Sequence, residues 1–164
     1  MSPYIVDSNF FIQAHRNTYP LDVATSFWNK IRQLSIEGKI ISIDKVKAEL
    51  FKNKDALTSW CTGNLRNGFF LDSSAVIPQY AKVIQIASQR VPAYNKRALD
   101  TFYNSDEADA WLIAHAVAKN LPIVTHEVSQ PAGIANVKIP DICHLLSIPT
   151  LTTIEMFRQL GESF

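Results

Sequence analysis

Short β-branched or aliphatic runs alternate along the chain with longer stretches in which apolar positions recur every three or four residues. Residues 4–6 (YIV), 39–43 (KIISI), 69–71 (FFL), 121–125 (LPIVT) and 148–151 (IPTL) are the short runs. Their brevity and lack of polar alternation suit strands buried on both faces. Between them, Leu21, Ala24, Phe27, Trp28, Ile31 and Leu34 mark one face of a helix that Gly38 ends. Asp44 is placed to cap a further helix, on which Val46 and Leu50 share a face and Glu49 lies beside them. Residues 55–66 read as helical, and 75–103 carry helical patterns broken at Pro92. SDEADAWLIAHAVAKN, residues 105–120, has acids in its first turn and an apolar body. Pro140 can open a helix through Ile142, Leu145 and Leu146, and Thr152 with Glu155 has the spacing of a capping box.

Strands separated by helices predict an α/β fold, a mostly parallel central sheet with helices on both faces. The 164 residues suit one domain, residues 1–164, large enough for its own core. The 126–139 stretch, with Pro131 and Gly133, is the expected surface loop and the segment expected to move most.

Charge changes the picture little in total and more in its placement. Lys and Arg number 16 against 15 Asp and Glu, a formal net charge of +1, which excludes a bulk polycation but not a basic rim beside an acidic pocket. Cys61 and Cys143 lie far apart without a metal-ligand spacing and read as core thiols. No apolar run is long enough to cross a membrane, and no basic-then-apolar leader opens the chain, so a cytoplasmic protein is expected.

In open α/β sheets, ligands bind beyond the carboxyl ends of the strands. Asp7 sits at that end of the first strand, Glu49 on the helix after the second, and Asp109 near the start of the helix leading to 121–125. Glu127 follows that strand closely, and Asp141 begins the helix before the last one. Carboxylates gathered in one crevice raise each other's pKa, and a hard divalent cation such as Mg²⁺ or Mn²⁺ relieves the repulsion. Such a cation can also serve hydrolysis at phosphorus.

VDSNFFI, VKAEL, DEADAWLIAHA and IVTHE, in that order, resemble the PIN-domain ribonucleases over residues 3–151. With the later KIPDIC, the pattern is most similar to the toxin-like DUF4411 branch. The resemblance implies a PIN-like three-layer sandwich that cleaves RNA with Mg²⁺ or Mn²⁺. Matched position by position, it makes Asp7, Glu49 and Asp109 the main metal ligands, with Asn9 and Thr125 as polar support. Where the family has a T-x-D tripeptide this chain has Thr125-His126-Glu127, so Glu127 and Asp141 compete for the fourth place, with Asp106 and Glu107 as further candidates. The resemblance also implies the toxin of a toxin–antitoxin pair, with a protein antitoxin as partner and homodimerisation left open.

Each signal has a plainer reading. Asp7 could end its strand in a local turn, Glu49 alone could be a solvated helix residue, and His115 in its apolar helix reads as a core histidine. Lys45, Lys47, Lys52, Lys54, Lys96 and Arg97 could be solvated, or could form a phosphate-binding rim; Trp60, Tyr94 and Tyr103 could stack bases. Two other functions remain open at this level. One is a non-catalytic PIN-type module that binds RNA or protein. The other is a phosphatase of the haloacid dehalogenase kind, against which stands Asn9 where that chemistry needs a second acid.

Overall fold

The runs at 4–6 and 40–43 have no polar face because both sides of them are covered. In the computed structural model, which describes residues 2–164, every residue of β1 (Tyr4–Val6) and β2 (Ile40–Ile43) is buried. With β3 (Phe70–Leu71), β4 (Ile123–Val124) and β5 (Thr150–Leu151) they form a five-stranded sheet in the order β3-β2-β1-β4-β5. Every pairing is parallel, with Ile5 opposite Ile41 on one side and Ile123 on the other. The edge strands β3 and β5 are only partly covered.

Helices flank this sheet as in a PIN-like three-layer sandwich. α2 (Thr25–Ile36), α4 (Ala56–Asn64) and α9 (Thr153–Leu160) share one layer. Trp28 packs edge-on against Trp60 at 4.8 Å, and Phe27 meets Phe157 at 6.1 Å. The connection from β3 back across the sheet to β4 runs the other way, and right-handed crossover sends its helices to the opposite face. There α5 (Ile77–Ser88), α6 (Lys96–Tyr103), α7 (Ala108–Lys119) and α8 (Ile139–Leu145) pack on one another. α7 is buried from Ala110 to Ala116, as expected of a helix apolar on every side. Asn120, with φ of 54°, ends it in the left-handed region.

Two expectations are corrected. The helix expected from Leu21 starts at Thr25, because Pro20 to Ala24 form a turn held by the Ala24 N–H on the Pro20 carbonyl at 2.8 Å. Asp44 is not the cap of α3 (Asp44–Leu50) but lies in its first turn, accepting from the Ser73 N–H at 3.1 Å and from the Ser73 hydroxyl. Ser73 in turn lies 3.1 Å from His115 Nε2, so His115 is indeed a packed histidine. The 126–139 segment is irregular but tied down: Arg90 bonds to its carbonyls, and the Asn95 N–H donates to the Ile134 carbonyl at 3.0 Å.

The capping box of Thr152 and Glu155 forms as its spacing predicts, each side chain meeting the other's backbone N–H. Both cysteines are buried and free, and burial pushes each thiol up to about 12, so neither is a nucleophile at neutral pH. Leu112 is fully buried at the centre of α7. Leu112→Ala should therefore lower unfolding stability by about 2–5 kcal/mol, read as an earlier urea midpoint with an unchanged slope.

Candidate metal centre

β2 and β3 step away in one direction from β1, while β5 steps the other way from β4. The adjacent strands β1 and β4 therefore border the topological switch point, where such sheets open a crevice at their carboxyl ends. Asp7 follows β1 and Thr125 follows β4. The Thr125 hydroxyl donates to Asp7 Oδ2 at 2.7 Å and closes this gap. Asp7 is also the N-cap of α1 (Ser8–Gln13), its Oδ1 accepting from the Phe10 N–H at 2.9 Å. The turn-forming role and the crevice role thus fall on the same carboxylate.

Asp7 is only 4% exposed, and burial pushes its carboxyl up from 3.8 to about 7, with Glu127 and Glu49 adding to the rise and the Thr125 and Phe10 bonds opposing it. Asp109, the second residue of α7, is raised well above the usual range, first by burial and then by Glu127, Asp7, Glu49 and Glu107. Glu127 is raised by burial while the Ile139 N–H, 2.6 Å from its Oε2, and Lys138 hold it down. Glu49 is exposed on α3, yet its charge is felt by both buried aspartates. Residues 7, 49, 109 and 127 are therefore within electrostatic reach of one another although they come from four separate parts of the chain.

Asp141 is engaged elsewhere. It is 7% exposed, and its oxygens accept from the Ser129 hydroxyl and, at 2.9 Å, from the Gln130 N–H. Of the two candidates for the fourth place, Glu127 shares the crevice lining with Asp109 and its charge acts on both Asp7 and Asp109, while the charge of Asp141 acts on Glu127. Asp106 is exposed in the turn before α7; Glu107 is the N-cap residue and borders the crevice. Asn9 is exposed on α1, and the support expected of it comes instead from the Phe10 N–H. Among the described residues, no three Asp, Glu, His or Cys side chains already close into a cation-binding cluster.

A cavity of about 560 Å³ opens beside these acids, with Glu107, Asp109 and Glu127 in its lining and Arg97, Lys138 and Asn136 among its other polar residues. Of the cations considered from sequence, Arg97 reaches it. Lys45 instead lies over the Trp111 ring at 5.6 Å, and Lys47 over Phe51 at 5.5 Å. Lys138, the N-cap residue of α8, also lines the crevice, and no motif around it in the sequence marks it. Tyr94 is buried beneath Arg90 and offers no face for stacking.

A family model described as "Domain of unknown function (DUF4411)" matches residues 4–164. The chain belongs to the DUF4411 family. No curated protein and no solved structure matches it. In this DUF4411 chain no helix of the described residues is long and apolar enough to cross a membrane.

The raised Asp7 has a definite consequence for stability. Its folded value of about 7 exceeds the ordinary 3.8, so between those pH values the folded state holds the proton more tightly and stability falls as pH rises. Asp7→Asn removes the buried charge. Without divalent cations it should be more stable than wild type at about pH 8, with the difference shrinking towards about pH 4. Urea unfolding of both proteins across that range checks the sign; a wild type that gains stability with pH at this site contradicts it.

Proposed function

We propose that this DUF4411 protein is a PIN-type ribonuclease that hydrolyses phosphodiester bonds of RNA with Mg²⁺ or Mn²⁺. The observation that carries the reading is the coupling of Asp7, Glu49, Asp109 and Glu127 at the switch point, two of them strongly raised. Burying carboxylates together is costly unless a positive charge compensates them. The donor set is all oxygen, which fits Mg²⁺ or Mn²⁺ and not a soft metal. Asp7, Asp109, Glu49 and Glu127 would hold the ion. When bound, it supplies an activated water and charge stabilisation at phosphorus.

The chain's own groups do the rest. The Thr125 hydroxyl, bonded to Asp7 Oδ2 and accepting from the Glu127 N–H at 3.1 Å, ties the Asp7 carboxylate to the backbone that carries Glu127. Arg97 and Lys138 attract the phosphates of an approaching strand, and the Asn136 amide can hydrogen-bond to its sugar or phosphate oxygens. The PIN resemblance supports the further reading of a cytoplasmic toxin held in check by a protein antitoxin. A covalent phospho-aspartate mechanism is disfavoured, because both Asp7 oxygens already accept hydrogen bonds and Asn9 is turned out to solvent.

Cleavage of an end-labelled single-stranded RNA should require Mn²⁺ or Mg²⁺ and stop with chelator. Asp7→Asn and Asp109→Asn should each reduce the rate by about 100-fold or more, and Glu127→Gln by about 10–100-fold. Asp141→Asn should fall much less. Equal losses for the last two would return Asp141 to the site; no cleavage by wild type with either metal, beside chelator-insensitive RNA binding, would favour the non-catalytic module.

A further inference from the structure

The wall of the crevice that carries Asn136 and Lys138 belongs to an irregular segment more than ten residues long, between β4 and α8. Loops of that length without secondary structure in a compact domain are usually functional, and something must hold them. Here the holder is Arg90. It is 7% exposed, and its partners are carbonyls and not carboxylates. Nη2 donates to the Gln130 carbonyl at 3.0 Å and to the Pro131 carbonyl at 2.6 Å. Nη1 donates to Gly133 and, at 3.3 Å, to Pro92. The guanidinium lies 4.0 Å above the centre of the Tyr94 ring.

Asp141 grips the same segment with the opposite polarity, accepting from Ser129 and Gln130. The loop's carbonyls thus face a cation and its N–H and hydroxyl groups face an anion. This bracket spans the end of α5, the start of α6 through Asn95, and α8. Lys138, at the end of the same segment, lines one cavity with Arg97, which α6 carries. A buried arginine is an expensive way to hold a surface loop, unless the loop's exact placement matters.

We propose that Arg90 is a positioning residue: by gathering the carbonyls of Gln130, Pro131 and Gly133 it holds Lys138 where the phosphates of a single-stranded RNA pass. The inference rests on the ribonuclease reading above. It does not give Arg90 any contact with substrate. Lysine cannot replace it fully, because a point charge cannot span carbonyls that the planar guanidinium reaches in one plane.

The test is binding of a fluorescent single-stranded RNA of about 12 nucleotides, in chelator, at salt concentrations from about 50 to 200 mM. Lys138→Ala should lower affinity by about tenfold and reduce the log–log salt slope by about 0.7, the share of one phosphate on a single strand. Arg90→Met should do the same, and the double variant should be no worse than either single one, as for residues acting through one contact. A purely structural role would not produce this overlap or change the salt slope. Arg90→Lys should fall between wild type and Arg90→Met. If circular dichroism shows Arg90→Met unfolded, Arg90→Lys and Ser129→Ala, each combined with Lys138→Ala, carry the same comparison. A folded Arg90 variant with wild-type affinity and slope overturns the inference, as do losses that add in full. A wild type that does not bind RNA overturns the ribonuclease reading instead, and this inference falls with it.

Discussion

The hydrogen bond from Thr125 to Asp7 is the contact around which the candidate site is built. It joins the carboxyl ends of two neighbouring strands at the one place in the sheet where connections leave in opposite directions. A parallel sheet opens there by construction, since the helices that follow the two strands go to different layers. The open position is filled by a buried carboxylate, not by an apolar side chain. Every other acid of the cluster is then carried in by an element packed around that opening: α3 brings Glu49, α7 brings Asp109, and the segment after β4 brings Glu127. Burial raises the carboxyls of Asp7 and Asp109, and the neighbouring acids add to that rise. It is the physical reason to expect a cation.

The scaffold can bear this cost because its core is otherwise so apolar. The buried side chains form one continuous cluster running from Tyr4 to Phe157, with α7 sunk in the middle of its layer. α7 can deliver Asp109 to the crevice because Leu112, Ile113 and Ala114 behind it leave it no other orientation. The polar groups that are buried are mostly spoken for, as with Ser42, whose hydroxyl donates to the Val6 carbonyl at 2.7 Å and ties β2 to β1. Around the crevice the charges are sorted by task. Glu127 turns one oxygen to the Ile139 N–H at the start of α8, while Asp141 and Arg90 grip the loop from opposite sides.

Much of this could be read from the residues in order. The strands and helices follow from short apolar runs and from the three-to-four spacing of positions such as Phe27, Ile31 and Leu34, because burial imposes those periods directly. The order of the strands does not follow from periodicity. Asp7 and Asp109 stand out because one falls just after a strand and the other at a helix start, while Glu49, near the end of α3, stands out only through the PIN resemblance. What stayed hidden depended on contacts across long separations in sequence. Nothing near Asp141 in sequence shows that its oxygens accept from Ser129 and Gln130. Asp44 was expected to cap its own helix and instead holds Ser73, 29 residues away. Arg90 carries no motif, and nothing local announces that four carbonyls converge on it.

The central claim is that the raised carboxylates of Asp7 and Asp109 give up their protons to a divalent cation. Calorimetric titration with Mn²⁺ at about pH 7, repeated in two buffers of different ionisation enthalpy, measures both the binding and the protons released with it. The account predicts saturable binding accompanied by proton release, because the Asp7 carboxyl, pushed up to about 7, is partly protonated at that pH and must ionise to act as a ligand. Both the binding and the release should be lost in Asp7→Asn and in Asp109→Asn. Binding that releases no proton and survives both substitutions would place the ion elsewhere and contradict the account.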